Sequence, residues 1–247
     1  MGTTAILSAL AQEQQGLIEQ LDGRRQVHRA GRDYWLGRLQ GREVILALSR
    51  IGKVAAATTA TTLIEAFDAQ RIVFTGVAGG LGPAVHIGDL VVAENFVQHD
   101  MDASPLFPRF EVPLYGQRSF ACDADLTARL VQACSGSLGA YDGTPHGAQL
   151  HCGLIVSGDQ FVSQERSAQR ILGDLRDAGL EPLAVEMEGA AVAQVCHDYR
   201  IPFAAVRTIS DRADETSAMD FQHFVTHVAR RYALAVVEQL MPLLPRP

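Results

Sequence analysis

The sequence has no surplus of positive charge. Its 21 lysines and arginines stand against 28 aspartates and glutamates, a formal net charge of −7, which excludes the broad basic footprint usual in nucleic-acid binders. It has no apolar run long enough to cross a bilayer. The opening "MGTTAILSALAQEQQ" lacks the cationic stretch and apolar core of a secretion signal, and Ile6 sits where a myristoylation signal wants serine or threonine. The expectation is a cytoplasmic protein whose partner is a small molecule or another protein, with no nucleic acid and no membrane. Cysteine is sparse: Cys122, Cys134, Cys152 and Cys196 are scattered without CxxC spacing, which argues against a zinc knuckle or redox pair. HExxH is absent, and no metal site is indicated. Linkers of low complexity and internal repeats are also missing, which predicts one domain over residues 1–247, long enough for a full core.

What is present is an alternation of short apolar runs with helical patterns. "TAILSAL" reads as a strand, "QEQQGLIEQL" as a helix, and "DYWLGRLQGREVILALS" as a hairpin turning at Gln40 and Gly41. "KVAAATTATTLIEAF" is a helix of small residues; "RIVFTGVAGG" is a buried strand ending in a glycine-rich turn. "IGDLVVAENFVQHD" leads from strand to loop, and "PLFPRFEVPLYGQRSF" is irregular. Asp123 is placed to cap "DADLTARLVQAC", and Ser163 to open "SQERSAQRILGDL". The strands "HCGLIVS", "PLAVEME" and "PFAAVRTIS" follow, with the helix "GAAVAQVCHDY" and one long closing helix from Met219 to Leu244. This pattern predicts an α/β fold, a single-domain three-layer α/β/α sandwich with a mixed central sheet covered on both faces.

In open α/β sheets ligands sit beyond the carboxyl ends of strands, and the unusual residues fall there: Glu13, the glycines at 76, 79 and 80, Phe161 with Val162, Glu186 to Glu188, and Arg207 to Asp211. Each has a plain explanation. Glu13 complements a helix dipole, or serves as a general base. Asp211 caps the next segment, or acts as a general acid. Arg207 neutralises a glutamate or binds a ligand, and Phe161 belongs to the core or stacks on a flat ring. Two acids around Met187 each need a partner or a proton if buried. Together they offer carboxylates for a diol, an arginine, an aromatic platform and separate acid and base candidates, the inventory for cleaving a nucleoside.

The segments "SRIGKVAAA", "TGVAGGL", "GLIVSGDQF", "VEMEGAAVAQVCH", "IPFAAVRTISDRAD" and "MDFQHF" resemble the bacterial 5′-methylthioadenosine/S-adenosylhomocysteine nucleosidases of the nucleoside phosphorylase superfamily. The likeness runs over nearly the whole chain and is weakest around residues 103–147. It implies hydrolysis of an N-glycosidic bond without metal or organic cofactor. It implies that Asp211 protonates adenine at N7, that Glu13 deprotonates the attacking water, and that an ionised Glu188 binds the ribose hydroxyls with Met187 beside the sugar and Arg207 supporting Glu188. Phe161 would stack on the purine and the main chain of Val162 read its edge; Leu10, Ile51 and Phe221 would line the sugar and alkylthio pocket, with Val77, Ala78 and Ser210 also against the substrate. A homodimer is implied, with residues 103–113, including Leu106, Phe107 and Phe110, reaching the neighbouring site. Two positions depart from the family pattern: Val77 replaces a serine, and Arg50 replaces the glycine before "IGK". Arg50 opens an alternative, a phosphorylase holding phosphate as nucleophile, and a binding-only protein is a second; Glu13 favours hydrolysis. The choice among methylthioadenosine, S-adenosylhomocysteine, 5′-deoxyadenosine and aminodeoxyfutalosine stays open.

Overall fold

The computed structural model describes residues 2–140 and 147–245. Strand β1 (Thr4–Ser8) runs parallel between β4 (Arg42–Leu48) and β5 (Arg71–Gly80). Its successive side chains go to opposite faces. Ala5 and Leu7 pack in one apolar cluster and Ile6 in another, so both faces must be covered, and the strand reads as an unbroken apolar run. The same division holds for Phe74 against Val73, and for Ala205 in β10 (Phe203–Asp211) against Val206.

Helices α2 (Lys53–Phe67) and α5 (Gly189–Tyr199) cover the first face through Ala56, Ala60, Leu63, Ala190 and Ala193. Small residues let them lie close: a Cβ at Gly189 would come within 2.2 Å of the Phe96 ring. Helices α1 (Ala11–Glu19), α3 (Ala124–Ser137) and α7 (Ala229–Leu240) cover the second face through Leu17, Leu130, Tyr232 and Val236. The result is the expected three-layer α/β fold with a mixed sheet.

The sheet does more than lie between helices. β5 pairs in parallel with β10, β10 antiparallel with β6 (Leu90–Gln98), β6 antiparallel with the short β7 (Ser119–Ala121) and in parallel with β8 (Leu150–Ser157), and β8 in parallel with β9 (Pro182–Glu186). β9 then returns antiparallel onto the end of β5, Val185 opposite Gly79 and Ala184 opposite Gly80. Five strands thus close a ring, and the carboxyl ends of β5 and β9 meet. A third cluster, with Ile171 and Leu175 of α4 (Glu165–Asp177), packs against Val156 and Val185.

Several local expectations change. Glycines 76, 79 and 80 lie inside β5 instead of in a turn after it. α4 begins at Glu165 with Gln164 as its cap residue, so Ser163 does not open it. The closing helix is two helices, α6 (Ser217–His227) and α7, broken at Val228 with φ −121° and ψ −45°. β2 (Asp22–Arg29), "DGRRQVHR", escapes a pattern search because nearly all of it is exposed at the sheet edge; it pairs with β3 (Arg32–Leu39). The β3–β4 hairpin does turn at Gln40 and Gly41, both with positive φ (49° and 77°), the geometry that matches strand twist. Asp123 caps α3 by accepting from Leu126 N–H at 2.8 Å. Among the described residues no helix is long and apolar enough to cross a membrane.

Candidate active site

A cavity of about 290 Å³ opens where the strand ends converge, close to the size range of small-molecule sites. Eleven residues singled out in the sequence line it: Leu10, Ile51, Val77, Ala78, Phe161, Val162, Met187, Glu188, Ser210, Asp211 and Phe221. Phe161 and Phe221 meet edge to face at its mouth, centroids 5.5 Å apart, and Ile51 is 58% exposed beside them. Gly79 and Glu186, also marked in the sequence, line it too, together with Ala9, Gln160 and Val185, to which the sequence assigned no role.

Asp211 ends β10 just after a bulge that shifts register between Ile209 and Asp211. Its Oδ1 accepts from Ala213 N–H at 2.9 Å and its Oδ2 from the Ser210 hydroxyl at 2.8 Å. Burial raises its pKa, opposed by these hydrogen bonds. A Cβ at Gly79 would stand 3.0 Å from Oδ1, so the glycine in β5 makes room for the carboxyl.

Glu13 and Arg207 do not line this cavity. Glu13 sits in the first turn of α1, where Oε2 accepts from the N–H groups of Ala9 and Leu10, both at 3.0 Å, satisfying donors that a helix start leaves unpaired. Oε1 is buried and has no hydrogen-bond partner among the described residues. Burial outweighs the backbone donors and Arg207 and pushes Glu13 up to about 7. The carboxyl borders a second cavity of about 10 Å³ with Thr75, Gly76, Thr208 and Tyr232, room for about one water. Val77 belongs to the walls of both cavities.

The two acids of "VEMEG" separate into different roles. Arg207 was expected to support Glu188; instead its Nη2 bonds Glu186 Oε2 at 2.7 Å, while the guanidinium lies over the Phe74 ring at 4.0 Å. Glu186 also accepts from the Ser157 hydroxyl and from the N–H groups of Glu188 (3.2 Å) and Gly189 (2.8 Å). It therefore caps α5 from the end of β9, and a buried ion pair with this many hydrogen bonds is compensated. Glu188 Oε1 accepts from Gly52 N–H at 3.0 Å. Burial, then repulsion from Glu186, raises the Glu188 pKa, opposed by the Gly52 N–H and Arg207.

Arg50 is not an anion ligand of this site. It is exposed and does not line the cavity; its guanidinium donates to the Gly31 carbonyl on the β2–β3 turn. Its φ of 61° accounts for the glycine usual at this position in the resembling family, since the left-handed region costs other residues about 1 kcal/mol. Within residues 103–113 the expected apolar patch is only partly there. Leu106 is 84% exposed, but Phe110 is 1% exposed and belongs to the α4 core, so it is not available to a neighbouring chain. His223 and His227 stand four residues apart on α6, yet no group of three or more metal-ligating side chains occurs among the described residues.

Residues 3–241 match the family model of the phosphorylase superfamily. The chain is 34% identical over 237 residues to the 5′-methylthioadenosine/S-adenosylhomocysteine nucleosidase of Aeromonas salmonicida, covering 95% of this chain and 97% of the relative. Its fold is similar to that of the Neisseria meningitidis nucleosidase of the same name in complex with methylthio-immucillin-A: TM-score 0.88, 33% identity, 99% of this chain and 100% of the other. The Colwellia psychrerythraea 34H nucleosidase in complex with adenine is also similar, with TM-score 0.87, 29% identity, and 98% and 96% coverage. The chain belongs to the phosphorylase superfamily and, within it, to the 5′-methylthioadenosine/S-adenosylhomocysteine nucleosidases.

Proposed function

We propose that this protein hydrolyses the N-glycosidic bond of 5′-methylthioadenosine and S-adenosylhomocysteine, releasing adenine and the 5-thio-substituted ribose. In this reading the bond between C1′ and the purine N9 breaks with its electron pair passing to the base, and Asp211 supplies a proton at N7. Water adds to C1′ as Glu13 takes its proton. The oxocarbenium-like sugar between these events is held through its hydroxyls by Glu188. The observation that carries the reading is the division of labour in Glu13. One oxygen is pinned by two backbone donors, while the other is buried, unpartnered and next to room for one water. A pKa of about 7 suits a general base working near neutral pH.

Asp211 fits the acid role because burial favours its protonated form. The cavity wall of Phe161, Val162 and Phe221 suits a purine and an alkylthio tail. Leu10 and Ile51 extend the apolar side, with Met187, Ala78 and Ser210 against the substrate. The placement of Arg50, bonded to a carbonyl outside the cavity, leaves the phosphorylase alternative without its cation. The reading extends to a homodimer in which Leu106 and Phe107 approach the neighbouring site, to a single catalytic domain over residues 1–247, and to methionine salvage. It extends to a cytoplasmic location, which suits four unpaired cysteines. Incubation with 5′-methylthioadenosine in phosphate-free buffer, with both products identified, tests it: adenine plus free methylthioribose is expected, and a sugar 1-phosphate formed only with phosphate would overturn it.

A further inference from the structure

Among the basic residues of the chain only one is lysine, Lys53, and its surroundings call for an ammonium and not a guanidinium. Its Nζ is 3.0 Å from Gln98 Oε1, 2.5 Å from Asp100 Oδ1 and 3.9 Å from Asp159 Oδ2. Acceptors on three sides suit a compact tetrahedral donor better than a planar fork. Lys53 also starts α2, and its own N–H donates to Asp159 Oδ1 at 2.8 Å. Asp159 therefore caps α2 from a distant loop, in place of Gly52, which has no side chain to do so. The loop is tied a third time, where Asp159 N–H donates to Asp100 Oδ2 at 2.9 Å. Asp100 lies below the usual carboxylate range although burial alone would raise it, because the Lys53 ammonium and this N–H bond it.

The consequence lies one residue away on either side. Asp159 is followed by Gln160, Phe161 and Val162, three consecutive wall residues of the large cavity. Lys53 is preceded by Gly52, whose N–H holds Glu188. From Gln98, the amide Nε2 continues to Gln194 Oε1 on α5 at 2.9 Å, the helix that follows Glu188.

We propose that Lys53 is a positioning residue: it locks the 158–162 loop onto the start of α2 and so fixes the wall against which the purine docks, without touching the substrate. This rests on the nucleosidase reading above. Loss of charge-assisted hydrogen bonds of this type corresponds to roughly 10- to 100-fold in binding.

The test compares wild type, Lys53→Met, Lys53→Arg, Asp159→Asn and the Lys53→Met/Asp159→Asn double variant, using steady-state cleavage of 5′-methylthioadenosine and equilibrium binding of adenine. Lys53→Met is expected to raise KM and weaken adenine binding at least ~10-fold, with a much smaller change in kcat and no change in the pH dependence of kcat. Lys53→Arg is expected between Met and wild type, and the double variant no worse than the poorer single, as for groups that act as a unit. Lys53→Met that loses only thermal stability, with KM and adenine affinity as in wild type, overturns the inference; should it not fold, Asp159→Asn with unaltered KM does so. Wild-type protein that releases no adenine overturns the nucleosidase reading and this inference together, whereas active wild type with an unaffected variant sinks the inference alone.

Discussion

Glu186 and Glu188 differ in role because of what the neighbouring strands bring to them. Glu186 ends β9 beside Ser157 of β8 and Arg207 of β10, whereas Glu188 lies beyond the strand and accepts from the Gly52 amide. The sequence showed that two acids needed partners, but Arg207 reaches Glu186 across a closed ring of strands, and that closure leaves no local signal. Asp211 was legible as an acid at a strand end; its room, supplied by Gly79 on another strand, was not. Replacing Asp211 by Asn is expected to lower kcat by about 10²–10⁴ in a protein that still folds; activity within a few-fold of wild type would remove it from the acid role. For Glu13 the sign of the pH effect follows from a folded-state pKa of about 7 against an ordinary 4.5. Folding takes up a proton, so the favourable contribution is complete below pH 4.5 and is lost as pH rises through about 7. Glu13→Gln keeps an oxygen for the Ala9 and Leu10 donors and carries no charge. It is therefore expected to melt progressively higher than wild type between pH 5 and 8, by up to about 3 kcal/mol in stability, while losing activity. A melting difference independent of pH would contradict this account.

At the scale of elements, helices with strong patterns were legible almost to the residue. "KVAAATTATTLIEAF" and "GAAVAQVCHDY" coincide with α2 and α5, because small residues and a flanking glycine or acid mark their limits. Elements made by tertiary context were not. β2 is an exposed edge strand without alternation, and Val228 breaks a helix that apolar spacing alone would continue. The start of α5 is a junction of three strands: Ala190 N–H donates to Ser157 Oγ at 2.7 Å, and that hydroxyl donates to Glu186. Ser157→Ala leaves a buried N–H without its acceptor and is expected to cost about 1–3 kcal/mol, read from urea midpoints. Stability equal to wild type would mean that Glu186 alone fixes the helix. In β5, Gly79→Ala places a methyl against Asp211 Oδ1; kcat is expected to fall more than tenfold, about 1.4 kcal/mol in barrier, and an unchanged kcat would show that Asp211 tolerates displacement.

At the scale of the whole molecule, the closed ring β5–β10–β6–β8–β9 brings carboxyl ends of strands from both halves of the chain to one place. An alternating α/β pattern predicts layers and strand ends, which is why the site could be located in the sequence, but the antiparallel return of β9 onto β5 rests on two residue pairs and leaves no periodic trace. Burial of Phe110 likewise follows from packing against α4, not from its neighbours in sequence. The decisive experiment is product identification with purified protein and 5′-methylthioadenosine without phosphate, repeated across pH. Adenine and free methylthioribose are the expected products, with kcat/KM rising as Glu13 loses its proton through about pH 7. No adenine under these conditions, or adenine formed only with phosphate and accompanied by a sugar 1-phosphate, would contradict the nucleosidase reading.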